Sequence, residues 1–385
     1  MTARPRVLVL ATHFAPSQRG GGLVTALASL VGHLREDFDF TVATSAHDLH
    51  AGEPYPPDAL DRAQERAGVP MVYLPRGTAR IAALNALLSQ PWDLVYLNSF
   101  LSPGYTTLPL LLRRLKGLRM PWLLAPRGEL MPGALLLKPR KKRGYLATLR
   151  AAGLLRGLHF QATSPAEVRA LTALGLGQVH EAGDLPPDCQ PTDLPPPEAM
   201  PLTPLRLVFL ARVVPIKNLL FALHALSLLR TPVTFDIYGP VGDAAYWQAC
   251  QHAITGMPAH VQVSYRGPLP PGEALRTLPA YEMLLLPTQS ENNGYVIHEA
   301  LLSGCVPLIS DQTPWQSLQA LGVGADLPLD TPDRFAAFIE AFAQTPPAER
   351  LQWRQRAQAY GLERLNASPQ TLATRAMFNC LIGRA

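Results

Sequence analysis

The sequence predicts an α/β protein built from two doubly wound domains. Short apolar runs alternate with stretches of helical character along most of the chain, which is typical of buried parallel strands joined by helices. A Pro-rich stretch at 183–205 interrupts this alternation, which then restarts. Two parallel sheets, each covered by helices on both faces and joined by one linker, account for the pattern.

The strands of both predicted sheets are short apolar segments. The first, RVLVLAT at 6–12, precedes a Gly/Pro-rich loop and a helix that starts at about Leu23. Further strands in the first half are FDFTVAT, MVYL, DLVYL, PWLLA, LHFQAT and QVHEA, and those in the second half are LRLVFLA, TFDIYG, VQVSYRG, EMLLLP and VPLIS. Ligands of such sheets bind at the strand ends, so we expect a site in a cleft between the domains.

These segments set the predicted domain boundaries. Residues 1–190 form the first domain, residues 191–204 the linker and residues 205–365 the second domain. After Asp330 the pattern predicts only helices, over about 331–343, 347–361 and 367–382. No strand follows the last helix, within 366–385, so we expect it to return to the first domain.

The composition excludes several classes of protein. With 48% apolar and 16% charged residues, the chain is too apolar to be disordered. Its four cysteines (Cys189, Cys250, Cys305 and Cys380) form no CxxC or Cys/His cluster, which argues against a disulfide framework and a zinc site. The N-terminal apolar run is too short for a signal peptide, and no run approaches the roughly 18 residues of a membrane span. We therefore expect a cytoplasmic protein.

Positive charge is concentrated in one stretch of the chain. Residues 113–156 contain twelve Lys/Arg and one acid, a local balance of +11, whereas the whole chain carries +5. Such a basic patch suggests an anionic partner such as phosphates, a membrane surface or nucleic acid; the alternative is a solvated face. Because no aromatic interleaving or nucleic-acid motif accompanies it, we do not expect nucleic acid to be the partner.

The most informative motif lies in LLLPTQSENNGYVIHEALLSGCVPLIS at 284–310. Glu291 lies in the loop after a strand, Asn292 or Asn293 can cap the following helix, and Glu299 lies within that helix. Backbone N–H groups at 292–295 and the helix dipole would bind an anion. The two carboxylates would accept hydrogen bonds from sugar hydroxyls; the alternative is a solvated loop acid and a helix-surface acid.

A second motif supplies cations to the same domain. In FLARVVPIKN at 209–218, Arg212 closes a strand and Lys217 precedes a helix that begins near Asn218. Two cations at the carboxyl end of a strand suit a diphosphate and would offset its charge without a metal. Taken alone, they are equally consistent with a surface Arg and Lys.

The first domain contributes a glycine loop and a second basic segment. Gly20, Gly21 and Gly22 precede a helix and would let backbone approach a ligand closely, although they form neither GxGxxG nor a Walker P-loop. Arg127 and Glu129 follow a buried strand directly. Further basic residues lie between apolar ones, as in a basic helix lying on a surface: Lys138, Arg140, Lys141, Lys142 and Arg143.

No metal site is predicted. Asp37-Phe38-Asp39 has the form of a DxD motif, but it enters a strand, so we interpret it as structural. The ten histidines show no HExxH or other ligand spacing.

Together these motifs resemble those of retaining family 4 glycosyltransferases, which have the GT-B fold. The resemblance covers essentially the whole chain. It depends on R-x4-K (Arg212, Lys217), E-x7-E (Glu291, Glu299), the glycine loop, ATSPAEVRAL at 162–171 and the returning terminal helix. It implies transfer of a sugar from a UDP- or GDP-linked donor to an acceptor, with retention of configuration and without a metal or other cofactor.

The resemblance also implies roles for individual residues. Arg212 and Lys217 would hold the donor diphosphate, and Glu291 would contact the sugar hydroxyls with the backbone of Asn292, Asn293 and Gly294. Glu299 would hold the ribose, and Gly21 or Gly22 would approach the phosphates. Arg127 stands where many members have a His near the donor sugar. The reaction would proceed at the front face, with the leaving phosphate assisting deprotonation of the acceptor.

Some local sequences resemble one subgroup more closely. NSFLSP, APRGEL and KPRKKR are similar to transferases of bacterial surface-polysaccharide assembly, which implies a glycan or lipid-linked acceptor and peripheral contact with an anionic inner membrane face. The sequence E-G-F-G, common in the family, is E-N-N-G here, so the resemblance does not indicate which donor sugar is bound. The alternatives are a non-catalytic GT-B subunit that binds a partner or membrane through its basic face, a GT-B epimerase and an inverting transferase.

Overall fold

The computed structural model describes residues 3–17, 22–48, 52–136, 139–270, 272–366 and 369–384. The chain divides into two compact units. Unit 1 comprises Met1–Asp188 together with Ser368–Ala385, and unit 2 comprises Cys189–Ala367.

In the described part of unit 1, seven parallel strands form one sheet in the order β3-β2-β1-β4-β5-β6-β7. The strands are β1 (Arg6–Ala11), β2 (Asp39–Ser45), β3 (Met71–Leu74), β4 (Leu94–Asn98), β5 (Trp122–Ala125), β6 (His159–Ala162) and β7 (Val179–Glu181). The connecting helices are α1 (Gly22–Leu34), α2 (Pro57–Ala67), α3 (Ala79–Leu88), α4 (Leu108–Lys116), α5 (Pro132–Leu136), α6 (Pro139–Ala151) and α7 (Pro165–Ala173), and a π-helical turn (Pro103–Thr107) leads into α4.

The strands are continuously apolar because both faces of the sheet are covered. In β1, Val7 and Val9 belong to one hydrophobic cluster, whereas Leu8 and Leu10 belong to another. Successive side chains of a strand point to opposite faces, so the two clusters are the cores on the two sides of the sheet. This double burial is what a run of apolar residues without alternation indicates.

Unit 2 repeats the architecture with six parallel strands, counted over its described residues, in the order β10-β9-β8-β11-β12-β13. They are β8 (Leu205–Leu210), β9 (Val233–Tyr238), β10 (Val261–Gly267), β11 (Met283–Leu286), β12 (Val306–Ser310) and β13 (Ala325–Leu327). The helices are α8 (Leu219–Ser227), α9 (Ala244–Thr255), α10 (Ala274–Thr277), α11 (Tyr295–Leu302), α12 (Leu318–Leu321), α13 (Pro332–Gln344), α14 (Pro347–Asn366) and, within unit 1, α15 (Pro369–Leu381), with short 3₁₀ turns at Pro191–Asp193, Pro215–Lys217 and Leu278–Ala280.

The predicted fold class of two doubly wound domains is confirmed. Every strand expected from the sequence is present, and one more, β13, was missed. β13 has three residues and pairs with β12 alone. Its sequence, Ala-Asp-Leu, contains no apolar run from which a strand could be recognised.

The terminal helix α15 packs within unit 1. Phe378 is buried, with its ring 5.4 Å from that of Phe38 and 5.9 Å from that of Tyr96. Arg375 forms an ion pair of 2.7 Å with Asp37, and Asp39 pairs with Arg4, also at 2.7 Å. Both acids of the DxD-like segment therefore have a cationic partner.

The Pro-rich segment before β8 is held by α14. Two buried arginines on that helix donate to carbonyls of the segment: Arg350 to Leu202 O at 3.2 Å and Arg354 to Glu198 O at 2.8 Å. Arg350 also pairs with buried Glu282 at 2.8 Å, and burial raises the pKa of that carboxyl. Unit 2 begins at Cys189, so the segment predicted as a linker, residues 191–204, lies within that unit.

Arg354 gives a test of this anchoring. Its guanidinium also donates to Gly304 O at 2.9 Å and Pro279 O at 2.8 Å. Arg354→Met leaves three carbonyls without this donor, so we expect the free energy of unfolding to fall by about 3 kcal/mol in urea titration. The exposed Arg356 on the same helix is the control, and Arg356→Met should cost under about 0.5 kcal/mol. Equal losses in the two variants would contradict the anchoring role.

Candidate functional site

The predicted donor residues lie at the carboxyl edge of the unit 2 sheet. β8 and β11 are neighbours there, although the chain passes through β9 and β10 between them. This is a topological switch point, where the loops that follow two adjacent strands diverge and leave space for a ligand. The loop after β8 carries Arg212 and Lys217, and the loop after β11 carries Glu291.

Hydrogen bonds hold these loops together. The Gln289 N–H donates to Ile216 O at 2.8 Å, and the Thr288 hydroxyl donates to the same oxygen at 3.0 Å. The Glu291 N–H donates to Gln312 O, which follows β12, at 3.0 Å. The loops after three adjacent strands are therefore fixed relative to one another before any ligand binds.

Lys217 and Glu291 form an ion pair across these loops. The Lys217 ammonium donates to Glu291 Oε2, and the two side chains are 20% and 16% exposed. Glu291 Oε1 accepts a hydrogen bond of 3.2 Å from the Asn292 N–H. An ammonium has three N–H groups, so Lys217 can keep Glu291 and still donate to a second anion.

Arg212 differs from Lys217 because its charge is unpaired. The side chain is exposed and makes no hydrogen bond or ion pair with any residue that the structure describes. Its loop packs closely against Gly239 after β9, where φ is +140° and a Cβ would lie 1.9 Å from Ala211 O. A glycine is therefore required at position 239, beside the loop that carries both cations. This glycine is the last residue of the predicted strand segment TFDIYG and could have been noticed there.

The start of α11 corrects one prediction. Neither Asn292 nor Asn293 caps this helix, because the residue before its first turn is Gly294, with φ +75°. A Cβ at Gly294 would lie 2.8 Å from Ile297 Cδ1 and 3.0 Å from Trp315 Nε1, so a larger residue does not fit. Instead, the carbonyl of Asn293 accepts a hydrogen bond of 2.7 Å from the Trp315 indole.

Glu299, on the second turn of α11, is a half-buried carboxyl. It makes no hydrogen bond or ion pair with any described residue. Burial raises its pKa from the ordinary 4.5 to about 7. It is therefore an unused acceptor in the same segment as Glu291.

His298, adjacent to Glu299, fixes α11 in place. Its ring is buried, and Nε2 lies 2.9 Å from Gly361 O on α14, within hydrogen-bond distance. The centre of the ring is 5.3 Å from that of the Trp315 ring. Burial lowers the pKa of this imidazole, so it is neutral at pH 7. Gly361 allows this approach, because a Cβ there would lie 2.8 Å from Leu302 N. The sequence motifs did not indicate a role for His298 or Trp315, because the residues that they contact are distant in the sequence.

In unit 1, Arg127 lies at the carboxyl edge but is almost fully enclosed. It follows β5 with φ +54°, and its side chain is 4% exposed. The guanidinium forms an ion pair with Asp184 and donates to Asn98 Oδ1 at 3.1 Å and the Tyr96 hydroxyl at 2.7 Å. No sequence motif indicated Asp184 as its partner.

Two further carboxylates organise this edge. Glu129 accepts hydrogen bonds from the N–H groups of Phe100 at 2.6 Å and Leu101 at 2.8 Å, and burial raises its pKa. Glu167 on α7 accepts from the Gly128 N–H at 2.6 Å. These bonds hold the loops after β4 and β5, so Glu129 and Glu167 are committed to the fold.

The glycine loop is described in part. Gly20 and Gly21 lie outside the described residues, whereas Gly22 is the first residue of α1. A Cβ at Gly22 would meet no described atom within 4 Å.

The basic segment forms a surface helix, α6. Lys138 lies outside the described residues; Arg140, Lys141 and Arg143 are exposed, and the Lys142 ammonium donates to Ala134 O at 2.7 Å. The inner face of the helix buries Leu146 and Leu149.

Neither a cluster of metal ligands nor a membrane-spanning helix is found among the described residues. No group of three or more His, Cys, Asp or Glu side chains in that part of the chain is arranged to hold a metal ion. Among the described helices, none has the length and apolarity needed to cross a membrane.

Comparison with known proteins supports the fold. The family model described as Glycosyl transferase 4-like domain matches residues 21–181. Curated proteins gave no significant match. Alr3699/HepE from Anabaena, in complex with UDP and glucose, is similar with a TM-score of 0.69 at 16% identity, over 99% of this chain and 100% of that one.

Two other structures show the same likeness. Sucrose-phosphate synthase from Thermosynechococcus elongatus has a TM-score of 0.70 at 15% identity, with 99% of this chain and 100% of that chain covered. For WaaG, a glycosyltransferase involved in lipopolysaccharide biosynthesis, the TM-score is 0.65 at 13% identity, with 98% and 100% covered. The likeness to these structures supports the GT-B fold that the sequence motifs implied, with two Rossmann-like units.

Glu299 gives a pH-dependent test. Its pKa is higher in the folded chain than in the unfolded one, so the wild type loses stability as pH rises from about 4.5 to about 7. Glu299→Gln removes this loss, and the melting temperature of the variant relative to wild type should rise over that range and level off above it. Exposed Glu363→Gln on α14 is the control for removing a carboxylate. A difference that is the same at every pH would contradict the burial of Glu299.

Proposed function

We propose that this chain is a retaining, metal-independent glycosyltransferase that moves a sugar from a nucleotide-diphosphate sugar to a glycan or lipid-linked acceptor. The observation that carries the proposal is the charge arrangement at the switch point of unit 2. Arg212, a cation without a partner among the described residues, shares a loop with Lys217, which is held against Glu291. Glu299 is nearby in sequence and has no partner in that part of the chain either.

The comparisons support this class of reaction. Residues 21–181 match a glycosyl transferase domain, and the HepE structure contains UDP and glucose. The involvement of WaaG in lipopolysaccharide biosynthesis supports an acceptor belonging to the cell envelope.

The donor diphosphate would lie between Arg212 and Lys217. Lys217 would donate to a phosphate oxygen with an N–H group that Glu291 does not use, and Arg212 would supply a bidentate partner. The N–H groups at the start of α11 add the positive end of a helix dipole. Fixed cations and backbone donors stabilise charge as it develops on a leaving diphosphate, which is the charge a metal would otherwise neutralise.

The two acids of the motif would position the rest of the donor. Glu291, paired with Lys217, would accept hydrogen bonds from hydroxyls of the transferred sugar, with the backbone at Asn292 to Gly294. Glu299 would accept from the ribose in its ionised form. Because its pKa is about 7, its strength as an acceptor increases as pH rises through that value.

We propose that the transfer occurs at the front face of the sugar. The bond between the anomeric carbon and the phosphate oxygen breaks, and the acceptor oxygen bonds to the same face. The acceptor proton passes to the leaving phosphate, so the step requires no protein nucleophile. The role left for the protein is to stabilise the leaving group and hold both substrates in place.

Arg127 has a different proposed role. Three groups of unit 1 already use its guanidinium, and its side chain is 4% exposed. We propose that it positions the loop after β5, while the direct contact with donor that the resemblance implies remains a prediction. Gly21 and Gly22 likewise remain predicted neighbours of the donor phosphates.

A binding and turnover assay tests the donor site. A UDP- or GDP-sugar at 100 times its Kd should stabilise the wild type by about 2.7 kcal/mol in a thermal-shift experiment, with EDTA present. Lys217→Ala should abolish the shift, because it removes a phosphate donor. Transfer should fall at least ~100-fold in Arg212→Ala, Lys217→Ala and Glu291→Ala, and NMR of the product should show the donor's anomeric configuration.

Arg276→Ala is the matched control, since this arginine is exposed in the same unit. Full turnover in all three site variants would refute the donor site. Inverted product would favour an inverting transferase, and the absence of any nucleotide-dependent shift would favour the non-catalytic alternative.

Contact with an anionic membrane is proposed for the start of α6. Arg140, Lys141 and Arg143 are exposed within the first turns of this helix, at the carboxyl edge of the unit 1 sheet. A lipid-linked acceptor would reach that edge from a membrane surface. Attraction of these cations to anionic headgroups supplies about 1 kcal/mol for each charge.

Flotation with phosphatidylglycerol vesicles tests this contact. Wild type should float at low salt and much less at about 0.5 M salt, because the attraction is screened. The triple variant Arg140→Gln/Lys141→Gln/Arg143→Gln should lose flotation at low salt. The control, Arg276→Gln/Arg334→Gln/Arg356→Gln, removes three exposed charges from unit 2 and should float like wild type. Failure of the wild type to float at low salt would refute the proposal.

A further inference from the structure

The fold divides the basic stretch of residues 113–156 into two clusters. α4 and α6 each follow a strand's carboxyl end and run back to the amino edge of the sheet, because the next strand is parallel. Arg150, near the end of α6, therefore lies about 15 Å along the helix from Arg140, at 1.5 Å per residue. The end of α4 brings Arg113 and Arg114 to the same amino edge, away from the residues of the proposed membrane contact.

A pocket lies between the loops that enter β6 and β7 at this amino edge. Its volume is about 380 Å³. Arg150 and Arg156 line it together with an apolar side formed by Leu158, Phe160 and Leu176. All of these residues belong to unit 1, so the pocket is complete within that unit.

Three guanidinium groups near this pocket have no partner among the described residues. Arg114, Arg150 and Arg156 are exposed, and their side chains make no hydrogen bond or ion pair with residues that the structure describes. Arg113 contrasts with them: it donates to Arg156 O and Gly157 O, both at 3.0 Å, and thereby fixes the loop that carries Arg156. Arg156 is thus held at the cavity by a loop that Arg113 orders, while Arg150 lines the cavity from α6.

Two glycines with positive φ lie beside these cations. Gly153 has φ +65°, and a Cβ there would lie 2.8 Å from an Arg114 guanidinium nitrogen, so a larger residue would displace that group. Gly175 has the same φ, and a Cβ there would lie in ordinary contact with an Arg150 guanidinium nitrogen, at 4.0 Å.

The neighbouring sequence supplies no compensating acid. The loops before β5, β6 and β7 (117–121, 152–158 and 174–178) contain no Asp or Glu, and neither do α4 and α6. The local potential is therefore strongly positive, and like charges held together without carboxylates favour binding of a multiply charged anion. Guanidinium groups match phosphate oxygens through paired hydrogen bonds.

We propose that this amino-edge pocket, lined by Arg150 and Arg156 with Arg114 beside it at Gly153, binds a small, multiply charged phosphate group. Nothing in the proposed transfer reaction uses these residues, since its site lies at carboxyl edges. A soluble phosphate compound and a phospholipid headgroup present the same chemistry, and the experiment distinguishes these two sources.

Isothermal titration with inorganic pyrophosphate tests the pocket. The full chain carries Arg212→Ala and Lys217→Ala, so that the donor site does not compete for the probe. We expect binding that weakens at least ~10-fold when Arg150→Gln and Arg156→Gln are added, as expected for the loss of two charge-assisted hydrogen bonds. The control adds Arg140→Gln and Arg143→Gln instead, which removes two positive charges from the same basic stretch. The affinity for pyrophosphate should then stay within about twofold of that of the Arg212→Ala/Lys217→Ala chain. Thermal melting confirms that every variant is folded.

Phosphatidylglycerol vesicles form the second arm. Pyrophosphate binding that depends on Arg150 and Arg156 supports the site with a soluble ligand. Vesicle binding with that dependence, without pyrophosphate binding, supports it with a lipid headgroup as ligand. If neither probe shows binding that depends on Arg150 and Arg156, or if both pairs of substitutions weaken pyrophosphate binding equally, the proposal is overturned.

Discussion

The parallel direction of every strand is the constraint on which the rest of this molecule depends. Parallel strands end at one edge of the sheet, so the loops that follow them meet there, and each helix must carry the chain back to the opposite edge. In unit 2 this brings Lys217 and Glu291 into contact, although 74 residues separate them in the sequence. In unit 1 it brings together Asn98 at the end of β4, Arg127 after β5 and Asp184 after β7. The same constraint sends Arg150 and Arg156 to the other edge, where a different kind of site is proposed.

Burial then decides which charged residues hold the fold together and which remain available. Arg350 and Arg354 are each 2% exposed, and carbonyls or a carboxylate accept hydrogen bonds from their guanidinium groups. A buried charge without such partners would be costly, so these contacts commit both arginines to the fold. Arg212 and Glu299 have no partner among the described residues. Arginines of one chain therefore range from structural to available, and residue type alone does not separate them.

This explains how far the sequence could predict the structure. The strands were predictable because burial on both faces requires continuous apolar runs, and β13 was missed because three residues at a sheet edge need no such run. The motif residues Lys217 and Glu291 were identified, and their contact follows from the order of the strands. The cap of α11 was wrongly assigned to Asn292 or Asn293, because the tight packing of Ile297 and Trp315 around Gly294 is a tertiary feature. For the same reason Arg127 could be recognised as a residue after a strand, but its enclosure by Asp184 and Tyr96 could not.

The basic stretch shows most clearly why topology must be considered before charge is given a meaning. A count along residues 113–156 gives +11 and suggests a single surface, but α4 and α6 both cross the sheet from one edge to the other. At physiological ionic strength, exposed charges more than about 8 Å apart are largely screened from one another. Arg140 and Arg150, about 15 Å apart along α6, therefore belong to separate electrostatic surfaces. One surface lies at the carboxyl edge of the sheet, and the other surrounds a cavity lined by arginines, glycines and apolar side chains. The proposed membrane contact would use the first surface and leave the second without a role, which is why separate ligands are proposed for the two clusters.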